Sequence, residues 1–171
     1  MSENEGTKLT SKPLTGTDFV SIDAKGRLPL GAKTRQRLGE QIAICRGRNG
    51  CVCIYPQAKW DALLADINAC PPNSKWRQAF EDLIMPTVED DLTCDDAGRV
   101  LIPARMRNLA GLTGKVIVKG CNDRLEVSPD REDGSHEMSN EEYAREYERR
   151  YDEMMASRSV AVGAAAAGAG A

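Results

Sequence analysis

Aromatic residues make up only 5% of this 171-residue chain. Its core must therefore rest on Val, Ile and Leu, side chains that suit short strands. No apolar run approaches the ~20 residues that cross a bilayer as a helix. The opening M-S-E-N-E-G-T-K is polar and no hydrophobic segment follows it, so neither a secretory leader nor a membrane partner is expected and the location should be cytoplasmic. Histidine occurs once, at His136 in an acidic stretch. There is no glycine-rich phosphate loop and no nucleophile beside a base, so the parts of an enzyme site are missing. No catalytic activity, small-molecule substrate or cofactor is expected.

Paired metal ligands are also scarce. The six cysteines are Cys45, Cys51, Cys53, Cys70, Cys94 and Cys121, and the only close pair is Cys51-x-Cys53. Zinc sites usually announce themselves by C-x₂₋₄-C or H-x₃₋₅-H spacing. A disulfide framework needs an oxidising compartment. The cysteines are read as reduced, small apolar residues. Metal binding is the lesser alternative, and no metal ligand is assigned.

Acidic residues outnumber basic ones, 26 to 23, for a net charge of −3. That average hides unlike segments. Residues 21–50 hold seven Lys/Arg against two Asp/Glu, and residues 99–124 hold six against one. Residues 125–155 reverse the balance, with eleven acids against four bases. Two basic blocks thus precede an acidic tail, and the local field at a binding face decides whether phosphate is attracted.

The chain repeats itself. S-I-D-A-K-G-R-L-P-L-G-A-K-T-R (21–35) aligns without a gap with T-C-D-D-A-G-R-V-L-I-P-A-R-M-R (93–107). Asp23 answers Asp95, Gly26 answers Gly98, Arg27 answers Arg99, and Arg35 answers Arg107. Each copy reads as strand, tight turn, strand, short helix, strand, strand. The first strands are expected at 19–23 and 92–95, the second at 27–30 and 99–102, and the helices at 32–38 and 104–109. The last strand pairs are expected at 41–45 with 51–55 and at 115–119 with 124–127. A unit of ~40 residues can rarely bury enough apolar surface alone, so each copy should complete the other's core. Helices are expected at 57–69 and 75–85. Ser139-x-x-Glu142 is a capping box that opens an acidic helix.

The expected organisation is a disordered arm over 1–17, a first repeat with its following helix over 18–68, and a connector over 69–88. The second repeat occupies 89–130, the acidic helix 131–157, and a disordered Ala/Gly tail 158–171.

The D-x-x-G-R turn is the chemical centre. It can present a guanidinium suited to the bidentate contact with guanine O6 and N7. Asp23 and Asp95 could hold Arg27 and Arg99 in one rotamer for that purpose, or each pair could only fix its turn as a surface ion pair of small value. Neighbouring bases, among them Lys25, Lys33, Arg35, Arg105 and Arg107, favour DNA. Arg35 and Arg107 carry a second reading, as helix residues packed against the other repeat.

These paired patterns resemble the two D-x-x-x-R repeats of the MraZ family, within the wider AbrB/MraZ/SpoVT swapped-hairpin group. The likeness runs from Phe19 to Val127. It implies an α+β, β-rich fold of two pseudo-symmetric swapped-hairpin modules in one compact domain, with intervening helices and a C-terminal helix. It also implies a closed homo-oligomeric ring, associated with the nucleoid. Such a ring binds double-stranded DNA at short direct repeats upstream of the division and cell-wall genes, usually as a repressor. Carried over by position, the DNA-binding residues are Asp23, Lys25, Arg27, Asp95 and Arg99. Two departures stand out: Gly31 replaces a usual proline, which should loosen the start of that helix, and Asp96 stands where the second turn often carries Lys. A rival reading is an AbrB-like antitoxin module that binds a protein partner through its C-terminal helix.

Overall fold

A computed structural model describes residues 12–130 and 138–168, with the side chains of the second stretch as far as Ser157. They fall into two units divided after Asp130. The expectations for 1–11, 131–137 (with His136) and 169–171 lie outside the described residues.

The first unit holds both repeats. The first runs β1 (Thr17–Ser21), β2 (Arg27–Pro29), α1 (Ala32–Leu38), β3 (Gln41–Arg46), β4 (Val52–Pro56), α2 (Gln57–Ala69) and α3 (Lys75–Leu83). The second runs β5 (Glu89–Thr93), β6 (Arg99–Leu101), α4 (Ala104–Ala110), β7 (Lys115–Gly120) and β8 (Leu125–Pro129). This is the α+β, β-rich order expected. The first strand of each repeat lies earlier than the alternation suggested, because Asp23 and Asp95 already belong to the turn. Their carbonyls accept the N–H of Gly26 at 2.9 Å and of Gly98 at 2.8 Å. The helix expected at 75–85 stops at Leu83 and gives way to a 3-10 turn over Met85–Thr87, where Pro86 has no N–H with which to continue an α-helix.

The strands exchange between repeats. Six form an antiparallel sheet in the order β1-β7-β8-β4-β3-β5, and β2 pairs with β6 in a separate ribbon. Thus β1 adds to β7 of the other repeat, and β5 adds to β3 of the first. Exchanging the repeats reverses the sheet order and leaves it otherwise unchanged, which is a pseudo-twofold relation. The ribbon crosses that relation with Leu28 opposite Val100.

Alternation along the strands makes two cores. On one face Ile42, Ile44, Val52, Ile54, Val116, Val118, Leu125 and Val127 meet Leu28 and Val100 of the ribbon and Leu38 and Met106 of the short helices. On the other, Ala43, Cys45, Cys53 and Tyr55 meet Trp60, Ile67 and Phe80 of α2 and α3. Of the apolar residues spaced along α3, Phe80 is buried, whereas Trp76 is 53% and Leu83 68% exposed.

Two expectations are corrected. The arm expected to be disordered through residue 17 is ordered from at least residue 12. Leu14 is 2% exposed, its N–H donates to the Asn122 carbonyl at 2.8 Å, and Arg37 donates to the Pro13 carbonyl at 2.6 Å. Burying a leucine stabilises by about 1.5–3 kcal/mol, to which these hydrogen bonds add. In the second unit, the helix α5 (Asn140–Gly168) runs on through the alanine-rich stretch expected to be disordered. Low complexity hid helix propensity there, since alanine is the best helix former. The start is as read: the Ser139 hydroxyl accepts the Glu142 N–H at 3.3 Å, and the Glu142 carboxylate accepts the Ser139 N–H at 2.9 Å.

Candidate nucleic-acid interface

Each D-x-x-x-R turn is tied by its own aspartate. Asp23 Oδ1 accepts the backbone N–H groups of Lys25 and Arg27, both at 3.0 Å, while Oδ2 accepts Arg27 Nε–H at 2.6 Å. Asp95 repeats the pattern, with the Arg99 N–H and Nε–H both at 2.8 Å. Gly26 and Gly98 sit at φ +87° and +73°, conformations glycine adopts without a Cβ penalty. The two turns also touch, since Arg99 Nη1 lies 3.7 Å from Asp23 Oδ2. Two repeats thus bring Asp23, Arg27, Asp95 and Arg99 into one cluster.

The cluster stays wet. The four side chains are about a third exposed, from 31% to 35%. Both carboxyls are held below their ordinary range, first by the backbone N–H of the arginine four residues on, then by its guanidinium. Among the described residues, Arg27 makes no hydrogen bond or ion pair through its terminal nitrogens. Arg27 is therefore oriented at Nε and open at its far end, the form a bidentate acceptor requires, whereas Arg99 is oriented at Nε and also turns Nη1 toward Asp23.

Arg35 and Arg107 sit elsewhere in the scheme. A Cβ on Gly26 would lie 2.4 Å from the Arg107 guanidinium carbon, and one on Gly98 would lie 1.6 Å from Arg35 Nη1. Each arginine roofs the turn glycine of the other repeat, and Arg107 Nε–H donates to the Ile102 carbonyl at 3.0 Å. This cross-repeat packing was the second reading of their positions. Lys25 and Lys33 are exposed. Arg105, also exposed, reaches the Pro86 carbonyl at 3.5 Å rather than the cluster. The gapless alignment pairs Asp96 with Ala24, and Lys25 with Ala97. The charge lost from the second turn is thus at Ala97, and Asp96 adds an exposed negative charge beside it. The sequence did not foretell the Arg99–Asp23 contact, because it depends on β2 pairing with β6.

Comparison with known proteins bears on this geometry. The family profile described as "MraZ protein, putative antitoxin-like" matches residues 14–82 and 85–152. The chain belongs to the MraZ family. Its MraZ relatives include the Transcriptional regulator MraZ of Lactiplantibacillus plantarum, 36% identical over 107 residues, covering 63% of this chain and 75% of that protein. The namesake in Frankia alni is 32% identical over 112 residues, covering 66% and 78%. That of Nitrosomonas europaea is 33% identical over 116 residues, with the same two coverages. The name these relatives carry is a regulator's and not an enzyme's. The MraZ matches take in α2 and nearly all of α3 with the first repeat and the first part of α5, to residue 152, with the second, a broader division than the one drawn from spacing. Among the described residues, no helix is long and apolar enough to cross a membrane.

Proposed function

We propose that this MraZ-family transcription regulator binds double-stranded DNA sequence-specifically through its two D-x-x-x-R turns, with Arg27 and Arg99 contacting base edges. The observation that carries the reading is the meeting of both Asp–Arg pairs in one solvent-accessible, half-buried cluster at the β2–β6 ribbon. Each aspartate orients its arginine, and exposed Lys25 adds a positive charge beside the first. Contacts to phosphate position a protein on the duplex, and contacts to base edges specify the sequence. The reading extends to short direct repeats upstream of its own division and cell-wall gene cluster, bound by a closed homo-oligomeric ring that represses them. Exposed Trp76, Leu83, Met85 and Leu109 supply apolar surface for subunit contacts. Nucleoid association follows from the same reading.

Gel-shift titration against DNA upstream of the chain's own gene tests it. Tight binding to the native repeats, lost on scrambling them, is the expected result. Affinity should fall with salt at a slope of about −0.9 per phosphate contact. A salt-independent affinity, or equal binding to scrambled DNA, would overturn the proposal.

A second reading, partner binding through the C-terminal helix, rests on α5. There Tyr143, Tyr147 and Tyr151 stack along one exposed face, with centroids 6.2 and 6.3 Å apart. Undiminished DNA binding by a chain ending at Asp130 would leave α5 available for that role.

A further inference from the structure

Three cysteines and a carboxylate meet on the face of the sheet opposite the β2–β6 ribbon. Alternation along β4 sends Val52 and Ile54 into the ribbon-side core and turns Cys51, Cys53 and Tyr55 the other way. Cys45 lies opposite Cys53 in the β3–β4 register, and Glu126 lies opposite Cys53 in the β4–β8 register. One row across three strands therefore holds two thiols and a carboxylate, with Cys51 a single alternation away. The donor atoms of Cys51, Cys53 and Glu126 all lie within 4.8 Å of one another, and the two sulfurs are 4.0 Å apart. Tetrahedral zinc at a Zn–S distance of about 2.3 Å sets its sulfurs roughly 3.8 Å apart.

The surroundings fit that use. A Cβ on Gly47 would lie 2.3 Å from Cys53 Sγ and 2.8 Å from Cys51 Sγ, so the backbone there leaves the sulfurs their room. Arg124 donates through Nε and Nη2 to Glu126 Oε1 alone, at 3.0 and 2.7 Å. That ion pair offsets part of the negative charge that thiolates would bring. Packing alone explains buried thiols as small apolar residues; their row adds a half-buried carboxylate held in place by Arg124.

We infer that Cys51, Cys53 and Glu126 form a binding site for a thiophilic divalent cation of the zinc type, three protein donors that leave a fourth tetrahedral position to solvent. Each ligating thiol forms a metal–sulfur bond and releases its proton to solvent; Glu126 binds as the carboxylate, and no electron is transferred. Hydrogen bonding with Cys45 and burial push the pKa of Cys53 up to about 12, and hydrogen bonding with Cys53 and burial push that of Cys51 higher still. The site is independent of the DNA-binding reading and tests separately from it.

Titration of the purified, reduced chain with Co²⁺ reads the site directly. The expected result is a thiolate-to-cobalt charge-transfer band with tetrahedral visible bands, saturating at one ion per chain and displaced by Zn²⁺. Cys51→Ala and Cys53→Ala should each weaken cobalt binding and lower the charge-transfer intensity, and Cys70→Ala should leave both unchanged. Glu126→Gln should weaken cobalt binding by about tenfold or more, since even outer partners of a metal site are worth that much. Circular dichroism checks that each variant is folded; should Cys53→Ala unfold, Cys51→Ala and Glu126→Gln carry the test. No charge-transfer band in the native chain, or a band of unchanged intensity and affinity in folded Cys51→Ala, would overturn the inference.

Discussion

Arg27 and Arg99 each give their Nε–H to the aspartate four residues earlier, at 2.6 and 2.8 Å. Half of each guanidinium is thereby held, which lowers the entropy lost when the other half meets a base. Replacing Arg27 by Ala should cost roughly 1–3 kcal/mol of binding for each bidentate base contact removed. Arg27→Lys should lose nearly as much, because an ammonium cannot serve the aspartate and a base edge with one planar fork. Arg99→Ala should cost less, since Asp96 weakens the field at its turn and that turn has no counterpart of Lys25. A gel-shift series on one operator decides it, with oligomeric state checked for each variant; native-like binding by Arg27→Ala would make the turn structural. The pairs also set a pH dependence. A carboxyl whose pKa is depressed on folding contributes stability above its unfolded pKa and loses that contribution as pH falls through the folded value. DNA affinity should therefore stay level through neutrality, as far as these two carboxylates govern it, and drop only in acid below the usual carboxylate range. A rise in affinity as Asp23 and Asp95 protonate would contradict the orienting role. The D-x-x-G-R spacing made these four residues legible in the sequence. The roofing of Gly26 by Arg107 and of Gly98 by Arg35 was legible only as one of two uses for a basic helix residue. Charge alone does not tell an arginine that packs from one that binds.

Helix α1 begins at Ala32 although Gly31 stands where α4 has Pro103. The two preceding residues have nearly the same backbone, φ −64° and ψ 153° at Gly31 against φ −54° and ψ 140° at Pro103. The loosened helix start expected from the glycine is thus absent in the folded geometry, and its cost lies in the unfolded chain, where glycine has more freedom to lose. A Cβ at Gly31 would meet nothing within 4 Å. Gly31→Pro should accordingly stabilise the protein by about 0.4–1 kcal/mol. Urea unfolding measures it as a higher midpoint with an unchanged slope, and a lower midpoint would show that residue 31 needs its N–H. Element types were largely readable because glycine and proline punctuate this chain and its strands alternate. Boundaries failed where a side chain, not periodicity, ends the strand, as Asp23 and Asp95 do. The length of α5 was missed for another reason: an alanine run carries propensity without pattern.

Two repeats folding as one body was legible from the short units, but which strands they exchange was not, because strand exchange leaves no mark on periodicity. Among the described residues, the pairings within a repeat are β3 with β4 and β7 with β8. The β1–β7, β2–β6, β3–β5 and β4–β8 pairings all cross between repeats. The first repeat alone, ending at Ile84, would keep one hairpin with α1, α2 and α3. It would expose Ile42, Ile44, Val52 and Ile54, which are now at most 1% exposed. Fully burying such a side chain is worth about 1.5–3 kcal/mol, so their exposure removes an amount comparable to the whole stability of a small domain. The isolated fragment should not fold as a monomer. The pseudo-twofold relation offers it another route. A second copy can place its β1 on the first copy's β3, its β2 beside β2, and its β4 beside β4, which restores every lost pairing in kind. The fragment should therefore fold only as a dimer, with its helical and strand signal rising with concentration and its sedimentation moving from monomer to dimer in the same range. A fragment that unfolds cooperatively, with a midpoint independent of concentration and the mass of one chain, would show that a repeat holds its own core and that the exchanged strands are dispensable.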